Sequence, residues 1–177
     1  MQLTSRQTLP VSQAIAWQSL NDASMLQASI PGCESLTPSG DNQYDLALTA
    51  AVGPVKAKFK GKLKLSELQP PSSYTIQFEG QGGAAGHGKG NAQVRLEPAG
   101  ANETVLHYTA NAQVGGKIAQ IGSRLVDMAA QKMAGDFFAS FNRQLQEKYP
   151  QAAAPAPAAP PEGLFARLAA WLKRLFG

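Results

Sequence analysis

Polar and apolar residues alternate over most of the first two thirds of the chain, which is the pattern of β-strands that bury one face. Residues 2–9 form the first such stretch, and it ends at Pro10, which cannot donate a hydrogen bond to a neighbouring strand. From residue 34 to residue 114 the alternation continues, interrupted by turn sequences rich in Gly, Pro, Ser and Asn. The pattern predicts an antiparallel sheet with one apolar face and one wet face.

Helical patterns flank the predicted sheet. Ser12 and Asp22 can each cap a short helix before Pro31-Gly32 ends the second one. After Gly115-Gly116, apolar residues recur mostly every three or four positions, which predicts one long amphipathic helix. These residues are Ile118, Ile121, Leu125, Met128, Met133, Phe137, Phe141 and Leu145.

Together these elements predict an α+β helix-grip domain over residues 1–149, in which a curved antiparallel sheet wraps around the long C-terminal helix. A curved sheet covered by one helix often leaves an apolar cavity between them. The side chains predicted to line this ligand-binding cavity are Phe59, Leu63, Phe78, Val94, Tyr108, Ala110, Ile121, Leu125 and Met128.

The last 28 residues have a different composition. Residues 150–161 contain only Pro, Ala and one Gln, which predicts an extended linker that reaches about 35 Å. Residues 162–177 predict an amphipathic helix that lies in a membrane interface, with docking on its own domain or on another helix as the alternative. The predicted membrane-binding residues are Leu164, Phe165, Leu168, Trp171, Leu172, Leu175 and Phe176 on the apolar arc, and Arg167, Lys173 and Arg174 outside it.

Size and charge narrow the functional class. A chain of 177 residues accommodates one sizeable domain with attachments, and its formal net charge of +4 does not by itself indicate nucleic acid. The first residues show no secretory signal, and no apolar run is long enough to span a bilayer. We therefore expect a cytoplasmic protein that is peripheral on the inner face of the cell membrane.

Five lysines occupy every second position of one predicted strand and therefore share its solvent face. They are Lys56, Lys58, Lys60, Lys62 and Lys64. One interpretation is a solvated sheet edge that lysines protect from aggregation. The other is a basic surface for anionic lipid or for an acidic partner protein. Nucleic acid is not expected, because the lysines are not interleaved with arginines or exposed aromatic residues.

Residues with catalytic potential are sparse. The glycines between residues 80 and 90 lack the following helix and the Lys-Ser/Thr of a phosphate-binding loop, so they predict a hairpin with a bulge, or a mobile lip of the cavity. His87 and His107 are isolated, and Cys33 has no second thiol for a disulfide or a metal site. We predict that the protein is not an enzyme and holds neither metal nor cofactor.

Several short motifs occur in a fixed order along the domain. They are Ile30-Pro-Gly-Cys-Glu34, Val52-Gly-Pro-Val55, Phe59-Lys-Gly61, Pro70-Pro71, the glycine-rich hairpin and Val114-Gly-Gly-Lys-Ile-Ala-Gln-Ile-Gly122. Together they resemble the carbon monoxide dehydrogenase CoxG family of the START/Bet v 1-like (SRPBCC) superfamily over about residues 1–149. The resemblance implies a helix-grip fold and an accessory role beside a molybdenum hydroxylase of the carbon monoxide dehydrogenase type, and it transfers no catalytic residue.

Our leading hypothesis is a membrane-tethered accessory protein whose cavity accepts a hydrophobic small molecule. A respiratory quinone is the candidate ligand, because such a dehydrogenase passes electrons to a membrane pool while a quinone is too apolar to leave lipid unaided. The alternative is a recruitment or maturation factor that anchors the dehydrogenase at the cytoplasmic membrane and binds no ligand. A third hypothesis is a START-like cyclase or hydrolase.

Overall fold

A single antiparallel sheet dominates the computed structural model, which describes residues 1–150, 171 and 173–174. Its seven strands follow the order β1-β7-β6-β5-β4-β3-β2. They are β1 (Gln2–Leu9), β2 (Cys33–Gly40), β3 (Gln43–Val52), β4 (Val55–Gln69), β5 (Ser73–Gln81), β6 (His87–Gly100) and β7 (Glu103–Gly115). Consecutive strands from β2 to β7 are neighbours, and β1 closes the order beside β7. A 3-10 turn at Gly83–Ala85 joins β5 to β6.

The strand register confirms the predicted separation of the two faces. Tyr44 pairs with Leu63, and Leu63 pairs with Phe78, so these apolar side chains lie side by side on the inner face. Lys62 pairs with Asp45 and Glu79 on the outer face. Because side chains alternate along a strand, one such register fixes the facing of every residue on three strands.

Two short helices connect β1 to β2, and each begins at its predicted cap. In α1 (Gln13–Leu20), the Ser12 side chain accepts a hydrogen bond from the backbone N–H of Ile15 at 3.4 Å. In α2 (Ala23–Ser29), the Asp22 carboxylate accepts one from the backbone N–H of Ser24 at 2.9 Å. Asp22 also accepts a hydrogen bond from the Lys148 ammonium at 3.2 Å, which joins the start of α2 to the end of the final helix.

The single long helix that the sequence predicted is broken near its start. Gly122 has a φ of 102°, a conformation that residues with a side chain rarely adopt, and it separates α3 (Lys117–Gln120) from α4 (Ser123–Lys148). The helical period therefore does not run continuously from Ile118 into α4. This break changes which α4 residues face the sheet.

The C-terminal half of α4 forms the closed end of the domain. Phe141 and Leu145 are completely buried, and they belong to the same apolar cluster as Leu65 and Val94 of the sheet. The helix packs on α2 and approaches β1 and β3, which lie towards opposite edges of the sheet. It thus bridges the concave face in the helix-grip arrangement that the sequence predicted.

The predicted linker and most of the predicted tail lie outside the described residues, so their roles stay predictions. The described tail positions are Trp171, Lys173 and Arg174, all helical and exposed, with Trp171 61% exposed. Among the described helices, none combines the length and hydropathy needed to cross a bilayer.

Candidate binding site on the inner face of the sheet

Four small residues form a flat patch at the centre of the inner face, which we call the small-residue floor. Gly90 pairs with Ala112, and in the next row Ala92 pairs with Ala110. All four are half-buried, whereas the residues of the closed end are almost fully buried. Because no side chain here extends beyond Cβ, the floor leaves space above β6 and β7.

Aromatic rings lie beside the floor. The Phe78 ring packs over Gly90, where an added Cβ would come within 2.9 Å of the Phe78 Cζ atom and would also collide with the Asn111 carbonyl. The Phe59 ring packs over Gly82 in the same manner. These glycines are therefore required for close packing of the aromatic rings.

One polar side chain is positioned at the border between the floor and the closed end. The Tyr108 ring stacks on Phe138 with 5.5 Å between ring centroids, and its hydroxyl forms a hydrogen bond with the Ser5 side chain. Burial raises the pKa of Tyr108, and the hydrogen bond with Ser5 opposes this only in part. The phenol is therefore protonated at neutral pH and is available as a hydrogen-bond donor.

Deeper in the closed end, Tyr74 is buried against Trp17, and the two rings meet edge to face with 5.3 Å between centroids. Burial strongly raises the pKa of Tyr74. This pair forms a rigid wall behind the site and extends the apolar surface on which Tyr108 lies.

The structure brings together most of the residues predicted to line the cavity. Phe59, Leu63, Phe78, Tyr108, Ala110 and Ile121 are half-buried on the inner side, and Val94 is buried at the closed end. Their role in ligand binding remains a prediction. The sequence analysis did not select Gly90 and Ala92, because the glycine-rich stretch was interpreted as a hairpin although β6 already begins at His87.

The predicted inward facing of Leu125 and Met128 is wrong for α4. Leu125 is 41% exposed and Met128 is 57% exposed, whereas their neighbour Val126 is 7% exposed. The cause is the break at Gly122, which resets the helical phase. Leu125 instead lies with Ile121 over Gly53 in the β3–β4 turn, with side-chain atoms 3.6 and 3.4 Å from the position of a Cβ on that glycine. We call Ile121, Leu125 and Met128 the apolar rim.

The five predicted lysines are exposed on the outer face of β4, as the alternation indicated. The interpretation as a protected sheet edge is wrong, because β4 pairs with β3 on one side and β5 on the other. The edge strands of this sheet are β1 and β2. The lysines therefore have no strand edge to protect.

The remaining polar candidates do not assemble into a reaction centre. His107 Nε2 lies 3.0 Å from the Glu97 carboxylate on the exposed face, and partial burial raises the pKa of the Cys33 thiol. Within the described part of the chain, no cluster of three or more His, Cys, Asp and Glu side chains is arranged to hold a metal ion.

Solved structures place this architecture among START-like proteins. A conserved protein from Geobacillus kaustophilus is 29% identical, with a TM-score of 0.79 over 83% of this chain and 96% of that chain. A START superfamily protein from Mycobacterium smegmatis is 11% identical, with a TM-score of 0.64 over 82% and 97% of the two chains. The Zhui aromatase/cyclase from Streptomyces sp. R1128 is 12% identical, with a TM-score of 0.62 over 84% and 94%.

The fold class is therefore START-like, and the sequence defines the family within it. The family model of CoxG, a carbon monoxide dehydrogenase subunit, matches residues 8–146. The chain belongs to the CoxG family, as the ordered motifs had indicated. No curated protein matches the chain.

Proposed function

We propose that this chain is an accessory protein of a carbon monoxide dehydrogenase-type molybdenum hydroxylase that holds a hydrophobic small molecule on the inner face of its sheet. A respiratory quinone is the candidate ligand. The family supports the accessory role. The observation that carries the ligand proposal is the half-buried small-residue floor, because a core evolved only for packing fills such positions with larger side chains.

The surroundings of the floor suit a flat ring with an apolar tail. The Phe78 ring lies beside Gly90 and the Tyr108 ring lies towards the closed end, so a planar head group placed on the floor meets aromatic surface on two sides. The protonated Tyr108 hydroxyl can donate a hydrogen bond to a quinone carbonyl, in exchange with or beside Ser5. An isoprenoid tail would then leave towards the apolar rim.

The apolar rim and the tail support exchange of such a ligand with a membrane. Leu125 and Met128 are two of the large apolar side chains that the described residues expose, and Trp171 is another. Transfer of a quinone from lipid to an apolar protein site replaces one apolar environment by another, so the net cost is small. We infer peripheral and reversible membrane association through the tail helix.

The test is mass spectrometry of organic extracts from the full chain purified from its native host. We expect quinone at about one molecule per chain, which is the stoichiometry of a single binding site. Protein that carries no quinone or other lipid, and takes none up from vesicles, would leave the recruitment or maturation factor as the better function. Turnover of an added polyketide or ester substrate would instead support an enzyme, a possibility that the 12% identity to the aromatase/cyclase does not address because it shows the fold alone.

A further inference from the structure

The lysines of β4 differ in their neighbours. Lys58 donates to the Glu34 carboxylate, with 2.7 Å between Nζ and the oxygen, and Lys62 lies in register between Asp45 and Glu79. We call these two the acid-flanked lysines. Hydrogen bonds from Lys58 and Thr49 hold the pKa of Glu34 below its ordinary value, so this pair is charged at neutral pH.

The three other lysines, Lys56, Lys60 and Lys64, have no acidic residue in register beside them. Lys60 is paired with Ala47 and Gln81, and Lys64 is paired with Gln43 and Gln77. Lys56 is paired with Ala51. None of the three forms an ion pair with another described residue. We call them the unpaired lysines, and they repeat every four residues, or about every 13 Å along the strand.

We propose that the unpaired lysines are the docking surface for an acidic surface of a partner protein. The partner's carboxylates would meet three ammonium groups at intervals of about 13 Å, which is a pattern that a folded protein surface can match. This inference rests on the proposed function in one respect, since it identifies the partner with the molybdenum hydroxylase.

Three observations favour a protein over a membrane as the occupant of this face. Two grooves, of about 720 and 430 Å³, lie on the outer face on either side of Lys62, and they admit side chains but not a flat bilayer. Asp45 and Glu79, which flank Lys62, would repel anionic lipid. None of the exposed large apolar side chains of the described chain belongs to β4, so nothing on this strand can enter the hydrocarbon.

The position of the unpaired lysines explains their use. Lys56 follows the β3–β4 turn, which lies beneath Ile121 and Leu125 of the apolar rim. A partner bound along the unpaired lysines would thus have one end beside the rim, where the proposed ligand enters and leaves. The outer face of the sheet would hold the partner while the rim and the tail remain accessible to lipid.

The test compares two matched double variants of the full chain. Lys60→Gln/Lys64→Gln removes unpaired lysines, and Lys58→Gln/Lys62→Gln removes acid-flanked lysines from the same strand and face, with the same loss of two charges. Binding to the immobilised, purified molybdenum hydroxylase of the same organism is measured at low and at physiological salt. We expect the first variant to bind about tenfold more weakly and the second less than about threefold, with a salt dependence that is reduced only in the first.

Equal weakening of the two variants, or no weakening, would overturn the inference, as would a wild-type chain that does not bind the hydroxylase. A Lys60→Gln/Lys64→Gln variant that loses binding to phosphatidylglycerol vesicles but keeps its affinity for the hydroxylase would overturn it in favour of a membrane surface. Quinone retention is measured on the same samples and decides the proposed function separately, because the unpaired lysines lie on the opposite face from the floor. Unchanged melting temperatures ensure that both variants are folded.

Discussion

Ala110→Trp places an indole on the small-residue floor, and we expect it to abolish quinone retention while the domain stays folded. The matched control is Thr109→Trp, on the same strand but on the opposite face, where Thr109 pairs with Thr4 and Gln93. Both variants add the same large side chain to β7. Only the first adds it where the proposed ligand lies.

The cost in stability follows from the surroundings of Ala110. Its partners across the strands are Ala92 and Leu3, and it is half-buried, so the indole enters space that is bordered by only one large side chain in its row. Overpacking of a filled core costs about 1–3 kcal/mol, and a partly open site should lie at the low end of this range. For a domain of this size, about 1 kcal/mol lowers the melting temperature by about 2–4 °C.

Thermal unfolding by circular dichroism and quinone content by mass spectrometry would be measured on the wild type and on both variants. The expected result is a drop of a few degrees and no quinone for Ala110→Trp, with quinone retained by Thr109→Trp. Quinone held by Ala110→Trp at the wild-type level would refute the location of the site. An Ala110→Trp chain that does not fold would show that the floor is close-packed, which contradicts the space that we infer above it.

Three further outcomes are expected. Gly90→Ala should cost about 1–3 kcal/mol because its Cβ meets backbone, whereas Gly80→Ala, with one backbone atom at 3.8 Å, should be nearly neutral; denaturant unfolding compares them. Trp171→Glu should reduce pelleting with anionic vesicles, and unchanged pelleting would contradict the tether. Burial raises the pKa of Asp22, but hydrogen bonds to Lys148 and to the α2 backbone hold it below 3.8, so its stabilisation is complete above that pH and lost as pH falls further. Acid titration of stability should therefore be flatter below about pH 4 in Asp22→Asn, which keeps the cap.

The sheet could be predicted in detail because two independent signals agree. Alternation assigns each residue to a face, and antiparallel pairing between consecutive strands then places like faces together, as in the row from Tyr44 through Leu63 to Phe78. The helix caps at Ser12 and Asp22 were predictable for a similar reason, since their side chains satisfy backbone N–H groups locally. These features depend on residues close in sequence or on consecutive strands.

The errors arose where a longer-range fact decides the outcome. The position of β4 within the sheet depends on the full strand order, which the lysine repeat does not encode. The facing of Leu125 and Val126 depends on the conformation of Gly122, and a glycine within an apolar helical pattern does not reveal its own φ. A one-residue change of helical phase rotates the buried side by about 100°, which is enough to exchange an inward residue for an exposed one.

The candidate site itself shows why an apolar pattern underdetermines function. Hydrophobic periodicity detects large side chains, yet the floor consists of residues that are small, and Gly90 carries no periodic signal. Its role becomes visible only when cross-strand pairing brings Gly90, Ala92, Ala110 and Ala112 into one block beneath a bridging helix. The same pairing separates unpaired from acid-flanked lysines on the other face. In both cases the functional hypothesis comes from which residues are absent beside a given position, and that information belongs to the sheet as a whole and not to any one strand.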